Sequence, residues 1–505
     1  MTFITSVLKT AHRTPHAKAI EWPSYSREEL FHILNLLLNS GFGKIPDSMK
    51  KIMFLFILLF IITATRAQTI ISRDPEIKQM VDEISADRLE QYVRKLVSFH
   101  TRHNLSSRND PSGGIGAAWN WVRSEMEKSI PASEGRLEVR FEEYTVGGPG
   151  QRIQKPVVLK NVVATLRGTD GNDDRKILIS AHFDSRAQLD NDSTSFAPGA
   201  DDDGSGVAAI LELVRIMSAR KFPATIIFMA LSGEEHGLYG ARHMAAKARD
   251  EKWNIIAMLN DDMIGNSGSS ETLLNDNMRV RVFSEGVPAY ETEQMAALRK
   301  YSSAENDGKA RQLARYIKET GERYIDQLTV TLVFRNDRFG RGGDHSPFCA
   351  EGFTAVRICE YNENYDRTHK VPAVVKGIQE GDLPEYVDYE YVRKNAGLNL
   401  ATMANLALAP CEPVNCGIIV SGLTNKTTLR WEVPSKGPKP SGYYILMRET
   451  WQPLWDKKIF VTGTEITLPY SKDNYFFGIQ SVDASGHESL PVFPGIARRP
   501  ASSLN

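Results

Sequence analysis

Residues 176–184 read KILISAHFD. A six-residue run that is apolar almost throughout, rather than at every second position, reads as a strand covered on both faces. It runs straight into His182 and Asp184. The same pattern recurs twice. ATIIFMAL (224–231) leads into Ser232-Gly233-Glu234-Glu235, and IIAMLN (255–260) leads into Asp261-Asp262. Helical stretches at 206–217 and 238–248 lie between them. Buried strands alternating with helices of 10–15 residues predict an α/β fold whose mostly parallel (mixed) sheet is flanked by helices.

Working outward, apolar residues Ile77, Met80, Val81, Ile84, Leu89, Tyr92, Val93 and Leu96 keep a helical period across 74–103, and 115–130 reads as a second amphipathic helix. Residues 137–146 and 157–166 alternate like strands. Further on come a helix around 311–319, strands at 328–334 and 355–359, and a long helix over 389–408 that stops before Pro410. Beyond Pro410 the helical period is lost. Short alternating stretches at 428–433, 442–448, 465–469 and 475–482, with turn residues between them, predict a small all-β sandwich. The expected organisation is an α/β domain over 68–410 and a sandwich over 411–505.

Composition sets bounds on function. The chain has 505 residues, 41% hydrophobic and 24% charged, which is ordinary globular usage and excludes a disordered or fibrous chain. Its 61 Lys+Arg against 62 Asp+Glu leave no basic footprint, so nucleic acid is not an expected partner. Four cysteines without a Cys-x-x-Cys pair exclude a disulfide scaffold and a zinc ribbon.

The chemistry gathers at the strand ends. In an open α/β sheet, ligands bind outside the carboxyl ends of the strands. His182 and Asp184, the loop Pro198-Gly-Ala-Asp-Asp-Asp-Gly-Ser-Gly206, Glu234-Glu235 and Asp261-Asp262 are all expected there, and His345 joins them from Gly-Gly-Asp-His-Ser-Pro. So many carboxylates repel one another unless cations neutralise them. Imidazole with carboxylate is a zinc ligand set, and two ions would share a bridging carboxylate. One acid of Asp201–Asp203 is also expected to cap the helix that begins beside it. His236, His243 and His369 are read as structural or supporting histidines.

These motifs, in this order, resemble the di-zinc aminopeptidases of the bacterial leucyl aminopeptidase and aminopeptidase Y type, over about residues 75–410. The resemblance implies a zinc exopeptidase fold holding two zinc ions. It implies His182 and Asp262 on one zinc, His345 and Glu235 on the other, and Asp202 bridging them. It also implies Glu234 as general base and Asp184 as the acceptor that orients the His182 ring. Substrates would be peptide or protein N-termini. A carboxypeptidase or dipeptidase on the same scaffold is the alternative, with a glutaminyl cyclase or a non-catalytic binding protein less favoured. The first-residue pocket is expected from 291–307, a polar stretch read as loop or lid, and from 338–343, with Tyr361 and Tyr365 as candidates to assist an oxyanion. Residues 413–500 resemble a fibronectin type III domain, with a tyrosine corner at Tyr475.

Residues 49–67 combine Met49-Lys50-Lys51, an apolar stretch over 52–65 and a small residue at Ala67. That is the pattern of a secretory signal peptide, and the apolar stretch falls short of the roughly 20 residues that span a bilayer. The expectation is an exported protein, periplasmic or extracellular, with no stable membrane span in the mature chain and with 1–48 as an upstream extension. In such a compartment Cys349 with Cys359, and Cys411 with Cys416, could form two local disulfides.

Overall fold

The computed structural model describes residues 73–497; the signal-peptide reading (49–67) and the stretch before it lie outside the described residues. In chain order the first part comprises α1 (Pro75–Asp82), α2 (Ala86–Val97), α3 (Gly114–Glu127), β1 (Leu137–Val146), β2 (Val157–Leu166), β3 (Arg175–His182), α4 (Gly204–Met217), β4 (Thr225–Leu231), α5 (Tyr239–Asp250) and β5 (Asn254–Asp261). There follow β6 (Arg279–Phe283), α6 (Glu293–Ser302), α7 (Lys309–Tyr324), β7 (Thr329–Val333), α8 (His345–Ala350), β8 (Ala355–Glu360), the hairpin β9 (Ala373–Val375) and β10 (Ile378–Glu380), and α9 (Tyr389–Leu408).

Eight strands form one mixed sheet in the order β1-β2-β4-β3-β5-β8-β6-β7. Its centre, β4-β3-β5-β8, is parallel, and antiparallel pairs flank it. The fold is α/β, as the apolar runs predict. Alternate residues of a strand face opposite sides. Ile177 and Ile179 of β3 therefore pack into the larger core with α2, α4, α7 and α9, while Leu178 joins the core beneath α5 and α8. Helix α9 lies within the larger core, and α7 crosses it closely: a Cβ on Gly321 would sit 1.9 Å from Leu398 Cδ1, so a larger residue there would force the buried Leu398 side chain to move. Residues 291–307, read as loop or lid, contain α6, none of whose residues is buried.

After α9 come β11 (Val414–Ile419), β12 (Thr427–Glu432), β13 (Gly442–Glu449), β14 (Lys457–Val461), β15 (Glu465–Leu468), β16 (Tyr475–Val482) and β17 (Gly495–Ala497). They make a four-stranded sheet, β15-β12-β11-β17, and a three-stranded sheet, β14-β13-β16. Trp431, Tyr443, Ile445, Met447, Phe477 and Ile479 form the core between them. The tyrosine corner does not form. Tyr475 packs edge-on against Tyr470, ring centroids 5.6 Å apart, and its hydroxyl bonds to no backbone group among the described residues. The expected disulfides are absent as well: all four cysteines are free thiols. Among the described residues no helix is long and apolar enough to cross a membrane.

Candidate metal centre

Parallel pairing fixes which side chains meet. His182 ends β3 level with Leu231 at the end of β4, and Asp261 ends β5 level with Ile358 of β8. The segments leaving these strands carry Asp184, Glu234-Glu235 and Asp262, so all emerge on one edge of the sheet. The loop before α4 brings Asp201–Asp203 to the same edge. Asp203 fixes it there. Its carboxylate accepts from the amides of Gly206 (3.1 Å), His182 (3.0 Å) and Met263 (3.2 Å), capping α4 and tying the ends of β3 and β5 to it.

Two groups of metal-ligating atoms result: His182 with Asp202 and Asp262, and Asp202 with Glu235 and His369. Asp202 belongs to both. Its Oδ1 lies 3.3 Å from His182 Nε2 and its Oδ2 lies 2.9 Å from His369 Nε2. His182 Nε2 also faces Glu234 Oε2 at 3.9 Å and Asp262 Oδ1 at 4.0 Å, while His369 Nε2 is 3.0 Å from Glu235 Oε1. That Glu235 oxygen is buried and makes no hydrogen bond. Convergent imidazole and carboxylate donors at these separations fit a zinc ligand set.

A scaffold of polar groups holds these side chains. Asp184 is fully buried and accepts from the amides of Glu234 (3.3 Å) and Glu235 (3.2 Å) and from Asn104 Nδ2 (2.7 Å). The resemblance implies that Asp184 accepts from the other ring nitrogen of His182; in the structure its backbone carbonyl lies 3.1 Å from Nδ1 and its carboxylate, which holds the Glu234-Glu235 turn, 3.7 Å away. Asp382 accepts from the amides of Asp201 and Asp202. The buried Arg102 guanidinium donates to the carbonyls of Phe183, Pro198 and Gly199. Arg357 pairs with Asp262 at 2.9 Å and Arg186 with Glu235 at 2.9 Å.

Electrostatics show how crowded the cluster is. Burial, outweighing the attraction of His182, holds Glu234 well above the usual carboxylate range. Burial also lifts Asp261 to about 8 and Asp344 to about 7. Burial disfavours a charged His369, yet Glu235 and Asp202 outweigh it and raise the ring to about 10. Without further cations the site can balance its charge only with protons. Beside the cluster opens a cavity of about 420 Å³, lined by Asp202, Glu234, Glu235, Asp262, His369 and Tyr365 among others.

The sequence profile of peptidase family M28 matches residues 161–373. A protein of Leptosphaeria maculans named a probable zinc metalloprotease is 42% identical over 422 residues, which cover 83% of this chain and 97% of that one. The chain belongs to peptidase family M28. A second probable zinc metalloprotease, from Pyrenophora tritici-repentis, is 39% identical over 428 residues, with 83% and 98% coverage. Among solved structures, the LapA aminopeptidase of Legionella pneumophila superposes with a TM-score of 0.48 at 20% identity, covering 67% of this chain and 76% of that one.

In this M28 chain, the sequence expectation for His345 needs correction. His345 is fully buried and lies outside both donor groups. It opens α8, where its Nε2 sits 2.9 Å from the carbonyl of Asn336, and burial pushes it down to about 4, so the ring is neutral. The second histidine of the cluster is His369, which the sequence reading set aside as structural. The other two histidines set aside are structural: His236 bonds to Asn104 and to the Asp190 carbonyl, and His243 stacks on Tyr144. Of the two tyrosines considered, Tyr365 lines the cavity, whereas Tyr361 is held by Arg279. Residues 338–342 reach the cavity, but 291–307 do not; they line a separate cleft against residues 490–495.

Proposed function

We propose that this M28 chain is an exported zinc-dependent exopeptidase, an aminopeptidase that removes N-terminal residues from peptides. In this reading His182, Asp202 and Asp262 would hold one zinc ion, and Asp202, Glu235 and His369 a second. The observation that carries it is Asp202, whose two oxygens face two different histidines. The convergence of Asp202 Oδ2 and Glu235 Oε1 on His369 Nε2, at 2.9 and 3.0 Å, supports it, as do the names of the fungal relatives. Zinc bound there would supply Lewis acidity toward a carbonyl oxygen and acidify a water molecule.

The chain's own residues supply positioning and proton transfer. Glu234 opens into the cavity, its backbone fixed by Asp184 and its Oε2 within 3.9 Å of His182 Nε2. It takes a proton from the attacking water and returns it to the leaving amine. Its raised proton affinity suits both halves of that transfer. The carboxylates on the cavity floor attract a substrate's free α-ammonium group, which restricts cleavage to the first residue. The 49–67 pattern supports export, and the two packed sheets after Pro410 support a fibronectin type III-like appendage.

The test is a panel of aminoacyl-nitroanilides, N-blocked peptides and free-amino peptides, run before and after chelation with zinc added back. Turnover confined to free-amino substrates, lost on chelation and restored by zinc, is expected. Cleavage of blocked peptides from the C-terminus would overturn the aminopeptidase reading. Activity unaffected by chelation would overturn the zinc reading.

A further inference from the structure

Four arginines line the cavity beside the cluster: Arg152, Arg186, Arg338 and Arg341. Three are already paired. Arg152 reaches Asp190 at 2.5 Å, Arg186 reaches Glu235 at 2.9 Å, and Arg338 reaches Glu363 at 2.6 Å and Asp337 at 3.3 Å. Arg341 differs. Its amide closes a turn onto the Arg338 carbonyl at 3.2 Å, but among the described residues its guanidinium has no ion pair and no hydrogen bond.

The backbone that carries it is held in place. Arg357 donates to the Gly342 carbonyl at 3.1 Å, and a Cβ on Gly343 would lie 3.3 Å from Asp262 Oδ2, so the loop rests against the cluster itself. Gly340 sits at φ +68°, which lets the chain turn tightly there. A rigid loop thus presents one unpaired cation at the mouth of the cavity, within the space a substrate must occupy.

An arginine fork matches a carboxylate geometrically and electrostatically. We propose that Arg341 is a specificity-determining residue that binds a substrate carboxylate, so that the enzyme favours short peptides carrying one close to the scissile bond. This rests on the peptidase reading above. The carboxylate has three possible sources: the side chain of the first residue, that of the second, or the C-terminus of a dipeptide.

The experiment compares kcat/KM for matched pairs that differ only in that charge: Glu- against Gln-nitroanilide, Leu-Glu-amide against Leu-Gln-amide, and Leu-Leu against Leu-Leu-amide. Each pair is measured on the zinc-loaded wild-type protein, Arg341→Gln and Arg341→Glu. The wild type should prefer the charged member of at least one pair by about tenfold, the size of a hydrogen bond between ionised partners. Arg341→Gln should abolish that preference, and Arg341→Glu should shift it toward Lys-nitroanilide over Glu-nitroanilide. The pair that responds identifies the carboxylate. Neutral peptides cleaved with no charge preference, or a preference unchanged in both variants, would overturn this inference and leave the peptidase reading standing. A zinc-loaded protein that cleaves none of these peptides would overturn the peptidase reading and this inference with it.

Discussion

Two buried acidic clusters in this molecule are balanced in opposite ways. Where α7 meets the C-terminal sheets, Glu488 is held by Arg323 at 2.9 Å, Lys458 at 3.3 Å and Asn405 at 3.2 Å. At the other end of α7, Asp307 pairs with Arg448 at 2.6 Å and Arg315 at 3.4 Å. Burial alone would raise Glu488, but Lys458 and Arg323 outweigh it and hold the carboxyl below the usual range. At the strand ends the acids outnumber the cations. Arg186 and Arg357 pair with Glu235 and Asp262, while Asp344 is fully buried with both oxygens unpartnered and Glu234 is pushed well above its usual range. The first cluster is complete as folded and joins two parts of the chain. The second is incomplete without added positive charge, which is how a metal centre differs from a structural ion-pair hub.

The sharpest contrast should come from removing one carboxylate from each cluster. Glu234→Gln is expected to lower kcat by about 100- to 10,000-fold, the range for loss of a general base, while bound zinc stays at the wild-type level by metal analysis. Loss of zinc in that variant would move Glu234 from base to ligand. Glu488→Ala should leave Arg323 and Lys458 buried without a partner and cost about 3–5 kcal/mol in denaturant unfolding, with zinc content and kcat per folded molecule unchanged. Zinc lost from Glu488→Ala would mean that the two clusters are not separate. Chelation is the next largest effect. At a free zinc concentration 100 times the dissociation constant, bound metal stabilises the fold by about 2.7 kcal/mol, so chelator should lower the wild-type melting temperature. An unchanged melting temperature would place no metal in the folded state.

The smallest effect concerns the hub's neighbour His487. Burial opposes its charge, but Asp483 at 2.7 Å and Asp74 at 3.2 Å outweigh it and raise its affinity for a proton. A folded-state value above the unfolded one stabilises the fold fully below about pH 6.5, and the gain is lost as pH rises through the raised value. His487→Gln should therefore cost about 1 kcal/mol or less, most at low pH, with the gap to wild type closing as pH rises. A gap that widens with pH would contradict the assignment.

Much of the sheet was legible because a parallel strand buried on both faces is mostly apolar along its length rather than at every second residue. The runs 176–181, 224–231 and 255–260 mark β3, β4 and β5 to within two residues. Asp203 as a helix cap follows from its place before Gly204. Residues 291–307 misled because α6 buries nothing, so its apolar residues show no core-facing stripe. His369 was missed because it stands on a loop at φ +59°, outside any periodic segment. The signal was nevertheless present. A ligand is expected after the carboxyl end of a central strand; His369 follows β8, whereas His345 precedes it.

The central claim is that the second histidine of the metal centre is His369. The direct test is zinc stoichiometry, measured on the purified wild type, His369→Ala and His345→Ala after zinc loading and desalting. About two zinc ions are expected in the wild type and in His345→Ala, and about one in His369→Ala, as for a two-metal site sharing one carboxylate. Zinc lost from His345→Ala and retained in His369→Ala would contradict it.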